Sequence, residues 1–206
     1  MSGQIAPTKG NLIATKKSLN LARVGFELLD RKRNILIREM MALINRAERI
    51  QESINITYAK AYLALQKVNI TLGICVELAE TVPIENSLEL FYKSVMGVEI
   101  PMLSSDIKEV SHIPYGLYST NSSLDIAYNR FVEVKKLTIE LAEVENSVYL
   151  LANAIKKTQK SANALKNVMI PKFEETVKKI TEALEEKERE EFSRLKIIKK
   201  NNKYPD

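Results

Sequence analysis

The chain has 206 residues, which allows one domain or at most two, and its side chains carry a net charge of +5. Only 6 glycines and 6 prolines are present, tryptophan is absent, and 45% of the residues are hydrophobic. A β-rich fold needs more turn residues, so this composition favours long helices and counts against most enzyme folds.

No run of about 18 uncharged apolar residues is present, and the first ten residues lack the apolar core of a signal peptide. We therefore expect a soluble, cytoplasmic protein. The single cysteine, Cys75, cannot form an internal disulfide, which agrees with a reducing compartment.

The first predicted element is a helical arm over residues 8–79, with Thr8 as a candidate N-cap. Its inward positions follow a seven-residue repeat through ten heptads, and only Arg33 breaks the apolar rule of the first series. The first series is Leu12, Leu19, Phe26, Arg33, Met40, Ala47, Ile54, Ala61, Val68 and Cys75, and a companion series lies three residues further on. A strict seven-residue repeat of this length predicts a coiled coil.

The middle segment, residues 80–121, is acidic and holds three of the prolines. The run from Ser94 to Pro101 favours an extended strand, and a second extended run, Ile107 to Ile113, follows the turn-forming residues 104–106. We predict a short β-hairpin that packs on the coiled coil or on a partner, because a lone hairpin is only marginally stable.

A second helical arm is predicted over residues 122–199, followed by a frayed tail at 200–206. Its heptads continue to Met169 and then slip by four residues around Pro171, which predicts a kink or an irregular turn. With so short a connector, the fold class is all-α dominated: a long antiparallel two-helix coiled coil with a short β-hairpin in its middle segment, forming a single elongated domain. Symmetric pairing sets Leu12 near Arg189 and Ile54 near Ser147.

The sequence contains no recognisable catalytic motif. Phosphate-binding glycine loops, zinc-protease helices and paired cysteine or histidine ligands are all missing, so we expect no catalytic, cofactor or metal site. The only histidine, His112, is interpreted as a surface or packing residue, and Cys75 as a small core residue.

Basic residues are concentrated in the two arms. In the antiparallel arrangement, those of both arms come together at one tip, where they form either a solubilising face or a surface held in an acidic or polar protein cavity. Nucleic acid is a weaker interpretation, because stacking aromatic residues are not interleaved with these charges.

The order of several motifs resembles that of the D subunit, the central stalk, of the archaeal and vacuolar type rotary ATPases. The resemblance rests on the following segments: Pro7 to Leu12, Ala22 to Arg33, Met96 to Pro101, Tyr115 to Leu117, Asn163 to Leu165, Ile170-Pro171 and Glu188 to Lys196. It extends over nearly the whole chain, and the Met-Gly-Val-Glu-Ile-Pro run between two heptad arms is its most specific part.

The resemblance implies a non-catalytic central stalk that couples ATP hydrolysis or synthesis to proton or sodium transport by rotation. Implied partners are the catalytic and non-catalytic nucleotide-binding head subunits (A and B), the F subunit of the central stalk, and the adaptor subunit (C or d) on the membrane ring. It also implies a cytoplasmic, peripheral location, with no nucleic acid bound and no segment inserted into the membrane.

Two sets of contact residues follow as hypotheses. The set expected to face the head cavity is Arg23, Arg31, Lys32, Arg33, Arg189, Arg194 and Lys196. The set expected to bind the F subunit is Tyr58, Tyr62 and Tyr149, which roughly oppose one another in the predicted pairing. A freestanding coiled-coil scaffold and, less strongly, a nucleic-acid-binding coiled coil remain alternatives.

Overall fold

A computed structural model of the chain describes residues 6–201, except 83, 85 and 106–113. Contacts between residues divide the chain into two compact units. The terminal unit comprises Met1–Arg33 and Lys156–Asp206, and the central unit comprises Asn34–Ile155.

Helix α1 spans Lys9–Leu72 and contributes to both units. Thr8 caps it as predicted, because its Oγ1 accepts a hydrogen bond of 3.2 Å from the Asn11 amide. The heptad positions from Leu12 to Val68 are buried or half-buried along the whole helix. The seven-residue repeat therefore identified the inward face of α1 correctly.

The first arm is not one helix to residue 79. Helix α1 ends at Leu72, Gly73 adopts a φ of +76°, and a short helix α2 follows at Val76–Glu80. A positive φ is easy for glycine and cannot continue an α-helix, so the chain turns here although the heptad pattern runs on. Cys75 lies outside α1, half-buried, where its thiol donates to the Gly73 carbonyl at 3.3 Å.

The hairpin consists of β1 at Leu88–Val95 and β2 at Val98–Ser105, paired antiparallel. Its turn is Met96-Gly97, and both residues have positive φ, at 51° and 75°. These angles match the two-residue turn that suits the twist of a hairpin. The hairpin prediction is confirmed, but the Ser94–Pro101 run is two strand ends and a turn, not one strand. The second predicted run, Ile107 to Ile113, and His112 lie outside the described residues.

A 3₁₀ turn at Leu117–Ser119 precedes helix α3, Ser122–Ala164. The Asn121 side chain caps α3 by accepting from the Leu124 amide at 3.2 Å. A π-helical turn at Leu165–Met169 then joins α3 to helix α4, Ile170–Asn201. This is the irregular turn predicted near Pro171: Pro171 has no N–H to donate, and a π turn accommodates the missing hydrogen bond.

Within each unit the two helices run antiparallel. In the terminal unit, Lys9 of α1 forms an ion pair of 3.0 Å with Glu188 of α4. In the central unit, Ile54 packs in one cluster with Val144. The predicted pairs were Leu12 with Arg189 and Ile54 with Ser147, and this register is correct to about one helical turn at Lys9 and Arg23 of the terminal unit. In the central unit it is wrong: Arg46 pairs with Glu140 and Tyr62 meets Phe131, two or more turns from the residues 155 and 139 that the prediction sets opposite them. The predicted fold class, a mainly helical antiparallel coiled coil with a β-hairpin, is confirmed.

Two clusters of buried residues are seen in the described part of the central unit. Leu36, Ile100 and Leu151 form one cluster, which joins the hairpin to α1 and α3. Ile50, Ile54 and Val144 form the other, between α1 and α3 alone. The hairpin is therefore attached to the helices through Ile100, with Val95 and Val98 packed beside it.

Candidate interaction surfaces

Two of the predicted head-contact residues of α1, Arg23 and Arg33, have close polar partners. Arg23 Nη2 lies 2.6 Å from Glu174 Oε1 on α4. Arg33 donates from Nη1 to Gln159 Oε1 at 2.8 Å, and its Nη2 lies 2.7 Å from the Asp30 carboxylate. Arg33 interrupts the apolar heptad series, and these bonds explain how a charged side chain occupies an inward position.

The predicted head-contact residues of α4, Arg189, Arg194 and Lys196, lie in its C-terminal half and are exposed. Arg189 lies 4.0 Å from Glu185 and Arg194 lies 3.8 Å from Glu190, each one helical turn away. Pairs this exposed add little stability, because water screens both charges. Lys196 lines a shallow groove with Ser193 and Ile197 on the same helix.

The structure does not bring the seven predicted head-contact residues to one tip. Lys9 pairs with Glu188, whereas Arg33 pairs with Gln159. At 1.5 Å per helical residue, Gln159 and Glu188 are separated by roughly 40 Å along the helical path. The prediction of one shared basic tip is therefore wrong: Arg23 and Arg31–Arg33 form one basic region of the terminal unit, and Arg189, Arg194 and Lys196 form another.

Exposed apolar side chains accompany both basic regions, and the charge pattern of the sequence did not reveal them. On α1, Leu21 and Leu28 are 74% and 62% exposed. On α4 the exposed apolar residues are Phe192, Leu195, Ile197 and Ile198. The seven-residue spacing of Leu21 and Leu28 was a signal in the sequence, since a second apolar stripe on a coiled-coil helix indicates a further packing surface.

The three predicted tyrosines do not lie together in the central unit. Tyr58 and Tyr62 stack with ring centroids 6.0 Å apart, and Tyr62 meets Phe131 of α3 edge-on at 5.9 Å. Tyr149 is exposed and belongs to neither ring contact. Tyr62 contacts α3 at Phe131, which is 18 residues before Tyr149. The prediction that Tyr149 of α3 faces the two tyrosines of α1 is therefore wrong. The aromatic residue that does face them is Phe131, which the sequence analysis did not single out.

The connector end of the central unit is held by polar contacts. The Tyr115 hydroxyl donates to Asp125 Oδ1 at 2.7 Å, and its ring meets Tyr128 edge-on. The Asn121 amide nitrogen donates to Thr71 Oγ1 at 2.9 Å, which ties the start of α3 to the end of α1. Burial raises the pKa of Tyr115, and the bond to Asp125 raises that pKa further.

The same end exposes a set of large apolar side chains. We call this set the connector patch, and it consists of Ile70, Ile74, Val76, Leu117 and Tyr118. Ile70 and Ile74 are 84% and 87% exposed, and Tyr118 is fully exposed. Large apolar side chains exposed at one end of a unit are candidates for an interaction surface.

Comparison with known proteins shows which family the chain belongs to. The family model that describes the D subunit of ATP synthase matches residues 11–200. The chain belongs to the ATP synthase D-subunit family.

Relatives in this family match nearly full length. The D subunit of a V-type ATP synthase from Thermotoga neapolitana is 46% identical over 197 residues, which are 95% of this chain and 97% of that protein. The D subunit of an A-type ATP synthase from Methanosphaera stadtmanae is 35% identical and covers 96% of this chain and 94% of its own. The A-type D subunit of Thermococcus kodakarensis is 34% identical over 95% of this chain and 93% of its own. The resemblance drawn from the sequence motifs is thus confirmed at the level of the family.

Among the described residues, no group of three His, Cys, Asp or Glu side chains is arranged to hold a metal ion. None of the described helices combines the length and the hydropathy needed to cross a membrane. The features of this family member that suit interaction are its exposed basic and apolar surfaces.

Proposed function

We propose that this chain is the central rotor stalk of an A-type or V-type ATPase. In this role it couples ATP hydrolysis or synthesis in the head to proton or sodium transport through the membrane ring by rotation, and it catalyses no reaction itself. Family membership over residues 11–200 supports the proposal. The structural observation that carries it is α1, a helix of 64 residues with a buried heptad face and exposed apolar and basic side chains on its other faces.

The terminal unit is the part that we propose to enter the head cavity. Its exposed side chains combine positive charge with large apolar groups, as in Arg194, Lys196 and Leu195 on α4. Such a surface can contact each head subunit in turn, and head conformations that contact it differently then differ in nucleotide affinity. The proposed contact residues are Arg23, Arg31, Lys32, Arg33, Arg189, Arg194 and Lys196.

The test of this contact keeps the cross-helix bonds of Arg23 and Arg33 and neutralises the other five residues. These substitutions are Arg31→Gln, Lys32→Gln, Arg189→Gln, Arg194→Gln and Lys196→Gln. In the assembled complex we expect several-fold less ion transport for each ATP hydrolysed, because loss of these charges weakens the contact between stalk and head. The measurement compares ATP hydrolysis with ion uptake in vesicles that contain the complete complex.

The matched control neutralises five basic residues of the central unit. It carries Arg49→Gln, Lys60→Gln, Lys67→Gln, Arg130→Gln and Lys136→Gln. This variant should keep the normal ratio of transport to hydrolysis. A normal ratio in the terminal-unit variant as well would refute the head contact.

Binding of the F subunit is proposed for two separate exposed tyrosines of the central unit, Tyr62 and Tyr149. Tyr62 is 54% exposed and Tyr149 is 67% exposed, and aromatic side chains are enriched at protein interfaces. Tyr58 packs on the Ile54 cluster and stacks on Tyr62, so it helps to hold the Tyr62 ring in place. Tyr62→Ala and Tyr149→Ala should each weaken binding of the F subunit by about tenfold or more. Calorimetric titration with the purified partner measures this, and unchanged affinity in both variants would exclude both tyrosines as F-subunit contacts.

The connector patch is proposed to bind the adaptor subunit on the membrane ring. Its apolar side chains suit burial in a protein socket, and Leu117 is 72% exposed. Leu117→Asp should release the adaptor while leaving the F subunit bound. Retention of both partners would place adaptor binding elsewhere. This arrangement keeps the chain in the cytoplasm, peripheral to the membrane.

The decisive experiment is purification of the chain from its own cells under native conditions. The proposal expects nucleotide-binding head subunits to accompany it. Recovery of the chain alone would favour a freestanding scaffold. The chain could also be recovered with bound DNA or RNA that dissociates steeply as salt is added. That result would favour a nucleic-acid-binding coiled coil.

A further inference from the structure

The two edges of the hairpin differ in how their backbone groups are satisfied. On β2, the Leu103 amide donates to Glu143 Oε2 of α3 at 2.8 Å, and the Pro101 carbonyl accepts from Ser147 Oγ at 3.3 Å. Pro101 has no N–H to leave unpaired. Helix α3 and a proline therefore protect the outer edge of β2, as natural sheets commonly protect an edge.

The outer edge of β1 lacks this protection within the described part of the chain. Val95 and Val98 close a two-residue turn, so they exchange hydrogen bonds, and the pattern alternates along the ladder. Leu90 and Tyr92 consequently direct their N–H and C=O groups away from β2. No partner for these groups occurs among the described residues, and all of β1 except Val95 is exposed. Since α3 lies on the β2 side, the β1 edge faces away from it.

The sequence of β1 is complementary to itself in one antiparallel register. If the two-fold axis passes through Phe91, Leu90 of each copy lies opposite Tyr92 of the other. Both residues direct their backbone N–H and C=O groups away from β2, as a hydrogen-bonded pair between the two β1 strands requires. The same register places Glu89 of each copy opposite Lys93 of the other, and Phe91 opposite Phe91. Opposite charges and aromatic pairs at facing positions stabilise a sheet. Glu89 and Lys93 are exposed, and neither has an ion-pair partner among the described residues.

We propose that two copies of the isolated chain pair through their β1 edges, forming a four-stranded antiparallel sheet with a two-fold axis at Phe91. The strand order is β2, β1, β1 of the second copy, β2 of the second copy, so the protected β2 edges lie outermost. Each copy contributes one strand of eight residues, which is small for a protein interface, so the dimer is weak and depends on concentration. This proposal goes beyond the stalk function, because it concerns the chain before it joins a complex.

Sedimentation equilibrium of the purified chain over a wide range of concentrations tests the dimer. The unmodified chain should change from monomer to dimer as concentration rises. Glu89→Lys and Lys93→Glu should each weaken the dimer by roughly tenfold, because each places like charges opposite one another twice. The double variant with both substitutions restores opposite charges and should recover the dimer.

A matched control is Glu99→Lys, which reverses an exposed charge on β2 opposite Ser94, away from the β1 edge. It should dimerise like the unmodified chain. Helix content by circular dichroism shows that each variant is folded. A chain that stays monomeric at every concentration overturns the proposal, and so does a dimer that is equally strong in all variants. Neither result bears on the stalk function, which is measured in the assembled complex.

Discussion

The terminal and central units each contain a pair of antiparallel helices, yet they bury different side chains. The central unit buries large aliphatic residues, among them Leu36, Ile54 and Leu151. The buried residues of the terminal unit are mostly small or hydroxylated, namely Thr15, Ala22, Thr158, Ala162 and Ile180. Free energy from burial scales with apolar area at about 25 cal/mol per Å², so the central unit contributes more to folding.

This difference teaches that a heptad pattern identifies the inward positions without saying how much each contributes. Inward alanine and threonine keep the helices close but bury little apolar area. The terminal unit also leaves leucines such as Leu21 and Leu28 exposed, as the central unit does at its connector patch. A unit with a small core and exposed apolar groups is suited to gain stability from a partner, which agrees with its proposed place in the head cavity.

The largest expected effect is in the core of the central unit. Leu151 is fully buried, and Leu151→Ala should lower the free energy of unfolding by about 3 kcal/mol through lost burial and a residual cavity. Urea denaturation followed by circular dichroism measures this. The matched control, Leu195→Ala in the terminal unit, removes an exposed side chain and should leave stability nearly unchanged. Equal losses of unfolding free energy in the two variants would mean that the buried Leu151 contributes no more to stability than an exposed leucine of the terminal unit.

The next effect concerns Tyr115, which holds the connector end of the central unit. Tyr115→Phe removes the hydroxyl that bonds to Asp125 and should cost about 1 to 2 kcal/mol of folding free energy. The exposed Tyr118→Phe serves as the control and should cost nothing measurable. A neutral Tyr115→Phe would mean that the Asp125 bond contributes no net stability.

The same tyrosine predicts a dependence on alkaline pH. Because folding raises the pKa of Tyr115, its contribution is complete below the unfolded tyrosine pKa of about 10 and is lost as pH rises through the folded pKa. The advantage of the unmodified chain over Tyr115→Phe should therefore persist up to about pH 10 and shrink above it. Paired denaturation curves at increasing pH measure this advantage, and an advantage that grows above pH 10 would contradict the sign.

A smaller effect is expected at the hairpin turn of the central unit. Gly97 has a φ of +75°, so Gly97→Ala should destabilise the hairpin by about 1 kcal/mol. Hydrogen exchange of the β1 and β2 amides should quicken, with the helices unaffected. As a control, Gly10→Ala in the first turn of α1 places a methyl group in open space and should not destabilise the protein. Unchanged exchange in the hairpin would show that the turn tolerates alanine.

The smallest effect compares one ion pair in each unit. Arg23–Glu174 and Arg46–Glu140 both join α1 to the opposite helix, and their side chains are about half exposed. Arg23→Gln and Arg46→Gln should each cost at most about 0.5 kcal/mol, and less in high salt. Thermal denaturation at two salt concentrations measures both. A loss above about 1 kcal/mol in Arg23→Gln alone would mean that ion pairs, rather than the small core, hold the terminal unit together.

Most of the helical architecture could be predicted because its signals are local. The Thr8 cap, the inward heptad positions and the irregular turn before Pro171 each depend on residues within a few helical turns. The contact surfaces were predicted less well. The seven basic residues were expected at one tip, whereas Arg33 lies beside Gln159 and Lys9 beside Glu188. Charge shows that residues are exposed, but not which distant residues share a surface.

The sequence by itself determined that the chain folds as paired amphipathic helices with a hairpin between them, and its motifs pointed to the family. Tertiary structure decided where the hairpin lies, and that α3 covers one hairpin edge and leaves the other open. The reason is physical: side-chain periodicity acts over a few residues along one helix, whereas hairpin placement depends on contacts such as Leu103 with Glu143, 40 residues apart. Contacts at that separation form only where packing brings the elements together, and no local pattern encodes them.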